Sequence, residues 1–209
     1  MFLGVFFLYP LVTVVGMCLG GGPAAPGRLV DELLSNPVYP RVLWFTTWQA
    51  AVSTILTLAA ALPAAYVYAR LRFAGKHALF AAAAVPFVLP SVVVAAGFKA
   101  LLGEQGIVNQ TLMGILNMDS APIHIDQSIW FILLAHVFYN HPVVTRIVGG
   151  FWSRIPPCVA DAARTLGASP ARVFFHVTLP LLAPSVLAAS MLVFTFCFSS
   201  FGVILILGG

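Results

Sequence analysis

The chain of 209 residues is 61% hydrophobic and 8% charged, with a formal net charge of +4. Soluble domains carry roughly 25% charged residues, so a soluble fold could not bury this much apolar surface. The composition excludes an ordinary soluble enzyme and indicates an integral membrane protein. In such a protein, the positions of basic residues indicate which side of the membrane a loop lies on, rather than nucleic-acid binding.

Five segments meet the requirement of about 20 mainly apolar residues for a membrane-spanning helix. The first resembles a signal peptide, but it lacks a basic start and a convincing cleavage site, so we interpret it as a span. The sequence therefore predicts an all-α helix bundle, with a first span and external loop over 1–42 and a core over 43–209. The predicted spans are 2–19, 43–69, 77–102, 128–150 and 181–207.

Two prolines interrupt the third predicted span. Pro86 and Pro90 both lie well inside the apolar run of 77–102. Proline removes a backbone donor and crowds the preceding turn of a helix, so it kinks or breaks the helix. Both residues are therefore hinge candidates.

The connecting loops differ in charge. Segments 70–76 and 151–180 carry an excess of Lys and Arg, whereas 103–127 contains acidic residues and no Lys or Arg. Short cytoplasmic loops are enriched in basic residues. The sequence therefore predicts the N-terminus, 70–76 and 151–180 in the cytoplasm, and 20–42 and 103–127 outside.

The loop at 151–180 carries the start and stop signals of two short helices. Pro156-Pro157 favours the start of a helix over 158–166, because proline is tolerated in a first turn. Gly167 can adopt the left-handed backbone that commonly follows a helix. Ser169-Pro170 predicts the cap and first residue of a second helix, which Leu179-Pro180 is expected to end.

The first of these helices has a small apolar face. Ala162, Ala163 and Leu166 share that face, with Asp161 and Arg164 beside it. An amphipathic connector lying on the membrane is one interpretation, but a lipid anchor favours bulky apolar residues. Small residues let another backbone approach closely, which favours docking into a groove of a partner protein.

The spacing in this loop resembles a motif of the inner-membrane permeases of bacterial ABC importers. That motif reads Glu-Ala-Ala, three residues, Gly, nine residues and Ile-x-Leu-Pro. This chain has Asp161-Ala162-Ala163, then Gly167, and nine residues later Val177-Thr178-Leu179-Pro180. The departures, Asp for Glu and Val for Ile, are conservative.

The resemblance extends along most of the chain. Segments 46–70, 85–97 and 106–112 are similar to successive core helices and an external segment of such permeases. Segments 135–146 and 196–209 are similar to the iron(III)/thiamine branch, in which one polypeptide usually carries two tandem halves. The resemblance implies the N-terminal half of such a permease, truncated after residue 209.

The resemblance also implies partners and roles. The chain would lie in the bacterial inner membrane, with a type I permease fold, and pair with a second permease half in the same longer chain or in another copy. A periplasmic or extracellular binding protein would deliver the solute. The loop at 158–180 would dock on a separate ATP-binding subunit, which holds ATP and Mg²⁺, so this chain itself binds no cofactor. The coupling residues would be Asp161, Ala162, Ala163, Leu166, Gly167, Val177, Leu179 and Pro180.

The residues themselves give no sign of an enzyme or a metal centre. No phosphate-binding loop of the G-x-x-x-x-G-K-[ST] type and no catalytic constellation is present in the sequence. The three cysteines are scattered and fit packing roles. Polar groups inside spans are expensive, so His136, Tyr139, Asn140 and His141 are candidates either for a solute pathway or for interhelical hydrogen bonds.

Two other function classes stay open. An ATP-independent secondary transporter or channel would use His136 and His141 as a proton relay. A non-transporting scaffold is the third alternative. Within the permease interpretation, iron(III), thiamine or its phosphates, polyamines and phosphonates all remain candidate solutes.

Overall fold

The computed structural model describes residues 8–19, 35–118 and 120–208. All regular structure in these residues is helical, because only a helix satisfies its own backbone hydrogen bonds in lipid. The chain divides into two compact units, Met1–Thr47 and Trp48–Gly209. Every site described below lies in the second unit.

The described helices follow one another with short connections, and no strand is present in the described ranges. Helix α1 is Tyr9–Leu19, so residues 2–7 of the first predicted span lie outside the described residues. Most of the predicted external loop 20–42 lies outside them as well. The other helices are α2 (Val38–Arg70), α3 (Lys76–Ala83), α4 (Val85–Val88), α5 (Ser91–Leu102), α6 (Ile107–Leu116), α7 (Ile129–Trp152), α8 (Pro157–Thr165), α9 (Pro170–Val173), a π-helical turn (Phe174–Thr178), α10 (Leu179–Phe198) and α11 (Phe201–Leu207).

The predicted all-α membrane bundle is confirmed. Four segments of the described chain are long and apolar enough to cross a membrane: Val38–Arg70, Ser91–Leu116, Ile129–Trp152 and Pro170–Phe198. The second and fourth predicted spans agree with α2 and α7. The segment Ser91–Leu116 contains the turn between α5 and α6, so it is two helices and not one rod.

The predicted interruption of the span over 77–102 is confirmed, but the backbone breaks beside the prolines divide the segment into three helices, so it is not a single span. Pro86 lies in the first turn of α4, after a break at Ala84. Leu89 has extended backbone (φ −75°, ψ 146°), which a following proline favours in its predecessor. Pro90 then caps α5. The apolar stretch long enough to cross a membrane therefore starts at residue 91.

The prediction of a fifth span over 181–207 is corrected at both ends. Leu179-Pro180 does not end the preceding helix, because a π-helical turn widens the backbone before the proline and α9 continues into α10. At the other end, Ser199 interrupts the helix before α11 begins. Its hydroxyl donates to the Thr195 carbonyl at 2.8 Å, a local bond that bends helices.

Helix α7 is the centre of the second unit. One cluster of buried apolar residues joins α7 to α2 and α10, and includes Ala65, Val148 and Val193. A second cluster joins α7 to α5 and α11, and includes Ala95, Phe131 and Val203. Because α7 contacts both clusters, its orientation fixes which of its side chains face protein.

Small residues let α2 and α7 approach closely. A Cβ added at Gly149 would lie 2.9 Å from Cδ1 of Tyr68 and 3.2 Å from the carbonyl oxygen of Ala65. Ala61 and Ala65 are fully buried on the facing helix. Close backbone approach through small residues is the usual packing device of membrane helices, which lack a hydrophobic driving force between them.

Candidate functional site

The loop between α7 and α10 folds as the sequence predicts. Helix α8 begins after Pro156, with Pro157 in its first turn, and Gly167 has the left-handed backbone (φ 82°) that the sequence assigned to it. The Gly167 amide donates to the Arg164 carbonyl at 2.9 Å, which closes the last turn of the helix. The Ser169 side chain then accepts from the Arg172 amide and caps α9.

The predicted coupling residues divide into an exposed group and a partly buried group. Leu166 is 89% exposed at the tip, where a large apolar side chain gains nothing from water. An ion pair of 2.9 Å joins the exposed side chains of Asp161 and Arg164 on the same helix. The exposed group is Asp161, Ala162, Leu166, Gly167 and Pro180, and the partly buried group is Ala163, Val177 and Leu179.

Aromatic contacts fix the loop to the membrane helices. The Trp152 ring lies 5.4 Å from the Tyr66 ring and 6.3 Å from the Phe174 ring, centroid to centroid. Val173 is buried beside them, and the Arg70 guanidinium donates to the Ile155 carbonyl at 3.2 Å. These contacts join the ends of α2 and α7 to the end of α9 and the π-helical turn that follows it, so this part of the loop is held against the bundle.

Helical backbone runs without a break from Pro170 to Phe198. The second helix of the loop is therefore the first part of a membrane span. A force on the loop reaches the span through backbone hydrogen bonds and needs no flexible linker. This connection is what a lever between a docked partner and the membrane bundle requires.

A cluster of buried polar side chains lies between α2, α7 and α10. The Ser53 hydroxyl lies 3.0 Å from Nδ1 of His136. The Asn140 amide donates to the His136 carbonyl at 3.0 Å and to Sγ of Cys197 at 3.4 Å, and the Gln49 amide donates to the Cys197 carbonyl at 3.1 Å. All five residues are at most 1% exposed. We call them the polar cluster.

The polar cluster separates the four pathway candidates into two pairs. His136 and Asn140 are buried and hydrogen-bonded to neighbouring helices or to their own. Tyr139 and His141 are half-buried: Tyr139 faces Phe87 on α4, and His141 faces α3. The first pair has the contacts of interhelical hydrogen bonding, and only the second pair lies beside a partly accessible surface.

Sequence reasoning did not select Gln49, Ser53 or Cys197 as partners in this cluster. Gln49 and Ser53 are polar residues four apart inside an apolar span, and that spacing puts them on one helix face. This signal was present in the sequence. Cys197 differs, because only its position at the end of α10 explains its contacts.

A second polar site orders the segment predicted to lie outside. The buried Asn109 amide donates to the carbonyls of Gly103 and Ile123, at 3.0 and 2.8 Å, and its oxygen accepts from the Ile123 amide at 3.0 Å. Asp126 accepts from the Glu104 amide at 2.8 Å. These bonds give the predicted loop 103–127 a fixed shape, with α6 inside it.

The described residues contain no group of three or more His, Cys, Asp or Glu side chains with the spacing of a metal site. The geometry gives a helical loop with an exposed tip between α7 and α10, and a buried polar cluster.

Comparison with known proteins gives one family. The sequence profile described as "Binding-protein-dependent transport system inner membrane component" matches residues 57–209. The match covers α7, α10 and the loop between them.

Individual relatives agree with that family. A thiamine transport system permease protein, ThiP, of Brucella abortus is 33% identical over 171 residues, which are 81% of this chain and 31% of the relative. A spermidine/putrescine transport system permease protein, PotB, of Haemophilus influenzae is 31% identical, over 84% of this chain and 61% of the relative. A molybdenum transport system permease protein, ModB, of Azotobacter vinelandii is 32% identical, over 77% of this chain and 69% of the relative. The chain spans about a third of the length of the thiamine relatives.

Proposed function

This chain belongs to the family of inner-membrane components of binding-protein-dependent transport systems, the permeases of ABC importers, and we propose that it forms one half of a solute pathway driven by a partner ATPase. The family and the apolar helices support a multi-pass protein of the inner membrane. Relatives matching most of the chain are permease proteins, not enzymes.

The observation that carries the proposal is the loop at 158–180, which we call the docking loop. An exposed Leu166, a left-handed Gly167 and the exposed Asp161 form a rigid tip that is joined by continuous helix to a span. The tip inserts into a groove of an ATP-binding subunit, which carries the ATP and Mg²⁺. Movement of that subunit tilts α10 and opens the pathway alternately to each side.

The proposed orientation follows from charge. The loops 70–76 and 151–180 are basic and lie in the cytoplasm with the N-terminus. The segment 103–127 then lies outside, where its shape, fixed by Asn109, gives a substrate-binding protein a defined surface. A second permease half, in the same longer chain or in another copy, completes the pathway.

The proposed solute is iron(III) or a thiamine-type compound. Thiamine relatives support the thiamine-type compound, while the polyamine and molybdenum relatives show that similar permeases are named for chemically different solutes.

Pro86 and Pro90 are proposed as hinges, because the backbone breaks beside both of them.

An ATP-independent transporter or channel is the alternative function, with His136 and His141 as a proton relay. The relay finds little support in the geometry, since His136 is tied to Ser53 in the polar cluster and His141 lies elsewhere on α7. Uptake that follows a proton gradient and ignores ATP would favour this alternative.

The test is association with the ATP-binding subunit, measured by co-purification. Gly167→Asp, with strained backbone at the tip, and Asp161→Lys are expected to abolish it. Gly75→Asp is the matched control, because Gly75 also has a positive φ (80°) and open space around it but lies in the other basic loop. Full association after deletion of 158–178 would sink the proposal.

A further inference from the structure

We propose that Phe87, Tyr139 and Phe196 form a stacking site for a planar aromatic organic cation on its way through the permease. The inference rests on the proposed function and adds the residues that would contact a thiamine-type solute. We call these residues the aromatic site.

The aromatic site joins three helices. The Phe87 ring on α4 lies 5.5 Å from the Tyr139 ring on α7 and 5.7 Å from the Phe196 ring on α10, with interplanar angles of 42° and 50°. All three side chains are half-buried, so the rings keep accessible surface. Aromatic faces carry partial negative charge and attract both cations and other rings.

The polar side chains beside the aromatic site lie in the polar cluster, where the amide groups of Asn140 and Gln49 donate hydrogen bonds while Oδ1 of Asn140 has no partner among the described residues. Asn140, the neighbour of Tyr139 in sequence, points into the polar cluster and donates to the His136 carbonyl and Sγ of Cys197. Cys197, the neighbour of Phe196, accepts through its carbonyl from Gln49. The face of α7 and α10 that stays partly accessible next to these bonds is therefore the aromatic one.

Charge narrows the class of solute. In the part of the chain that the structure describes, the acidic residues are Glu104, Asp126 and Asp161, and none lies in α2, α5, α7 or α10. A polyamine would bind most favourably beside carboxylates, and these helices carry none. An oxyanion would bind most favourably beside buried cationic side chains, but Lys99 and Arg146 are exposed. A cation with aromatic rings needs neither carboxylates nor buried cations, because π faces attract its charge and stack on its rings.

The backbone around Phe87 allows the site to open. Helix α4 has four residues, with a break at Ala84 before it and extended backbone at Leu89 after it. Phe87 can therefore swing away from Tyr139 without unfolding either long helix. A planar ring entering between them replaces one aromatic contact by two.

The test uses the complete permease with its ATP-binding subunit, reconstituted in liposomes with binding protein, and radiolabelled thiamine as the probe. Phe87→Leu and Tyr139→Leu are expected to lower thiamine transported per ATP hydrolysed about tenfold, because each removes a π face. Tyr139→Phe keeps the π face and is expected to lower transport less than Tyr139→Leu does. Phe138→Leu is the matched control, since Phe138 is an exposed aromatic on the same helix that contacts Phe98 instead.

Each outcome decides a separate question. Equal thiamine transport by wild type and both leucine variants overturns the aromatic site and leaves the proposed function standing. A wild-type complex that moves iron(III), putrescine or molybdate but not thiamine does the same. Parallel loss of ATP hydrolysis and transport in the leucine variants indicates packing only and overturns the site. A wild-type complex that moves no solute with ATP refutes the proposed function and this inference with it.

Discussion

Two adjacent glycines of α7 give a matched test of the packing between α2 and α7. At Gly149 an added methyl group would meet Cδ1 of Tyr68 at 2.9 Å and the Ala65 carbonyl at 3.2 Å, whereas at Gly150 it would meet nothing within 4 Å. The Tyr68 ring can shift, but the Ala65 carbonyl belongs to helix backbone. Gly149→Ala is therefore expected to cost about 1–2 kcal/mol, in the lower part of the range for overpacking.

Gly150→Ala is expected to stabilise by about 0.4–1 kcal/mol, because alanine restricts the unfolded chain without a clash. The two variants then differ by roughly 2 kcal/mol, or about 4–8 °C in Tm for a chain of this size. Thermal unfolding of the detergent-solubilised protein, followed by size-exclusion chromatography after heating, measures the difference. Equal Tm values for the two variants would refute the close approach of α2 and α7.

Three further predictions concern other contacts. Ser53→Val removes the hydrogen-bond partner of the buried His136 ring and is expected to lower the free energy of unfolding by about 0.6–2 kcal/mol. The control, Ser190→Val, removes a hydrogen bond within one helix and is expected to change that free energy little. The Tm values of the two variants are compared. Asn109→Leu removes three hydrogen bonds, so amide exchange over 120–128 is expected to rise about tenfold or more by mass spectrometry, with unchanged exchange as the contrary result. With the first cysteine replaced, a membrane-impermeant maleimide is expected to label Cys158 in inside-out vesicles only and Cys197 only after denaturation; labelling of Cys158 from outside would reverse the proposed orientation.

The docking loop was predictable because its signals are local. Proline in a first turn, glycine with positive φ and a serine cap each act within a few residues, and the structure has all three where the sequence put them. The central span was equally clear, with a predicted range of 128–150 against an observed helix of Ile129–Trp152. Hydropathy finds such a span because both its ends are polar.

The helix breaks were less predictable. Hydropathy averages over a window, so it counted α3, α4 and α5 as one span, although Pro86 and Pro90 marked the breaks, and it did not detect the break at Ser199. The predicted end of a helix at Pro180 is wrong, because a π-helical turn accommodates the proline ring within a continuous helix. The cost of a proline is local, but whether a helix bends or ends depends on what packs against it.

The division of the polar candidates on α7 depended on tertiary structure. Sequence spacing puts His136 and Asn140 on one face, yet it does not say whether that face meets a pathway or another helix. The structure shows that this face meets other helices: His136 contacts Ser53, 83 residues away along the chain, and Asn140 contacts Cys197, 57 residues away. Contacts of that sequence separation have no local signal.

The central claim is that the tip of the docking loop enters a groove of the ATP-binding subunit. A photoreactive amino acid in place of Leu166 tests it directly, because this side chain is 89% exposed at the tip. The complete complex is irradiated, and adducts are identified by mass spectrometry, with a second probe in place of Met191, which is 71% exposed on a span. The account predicts an adduct with the ATP-binding subunit from position 166 and none from position 191. No such adduct from position 166, in a complex that hydrolyses ATP in response to its binding protein, would contradict it.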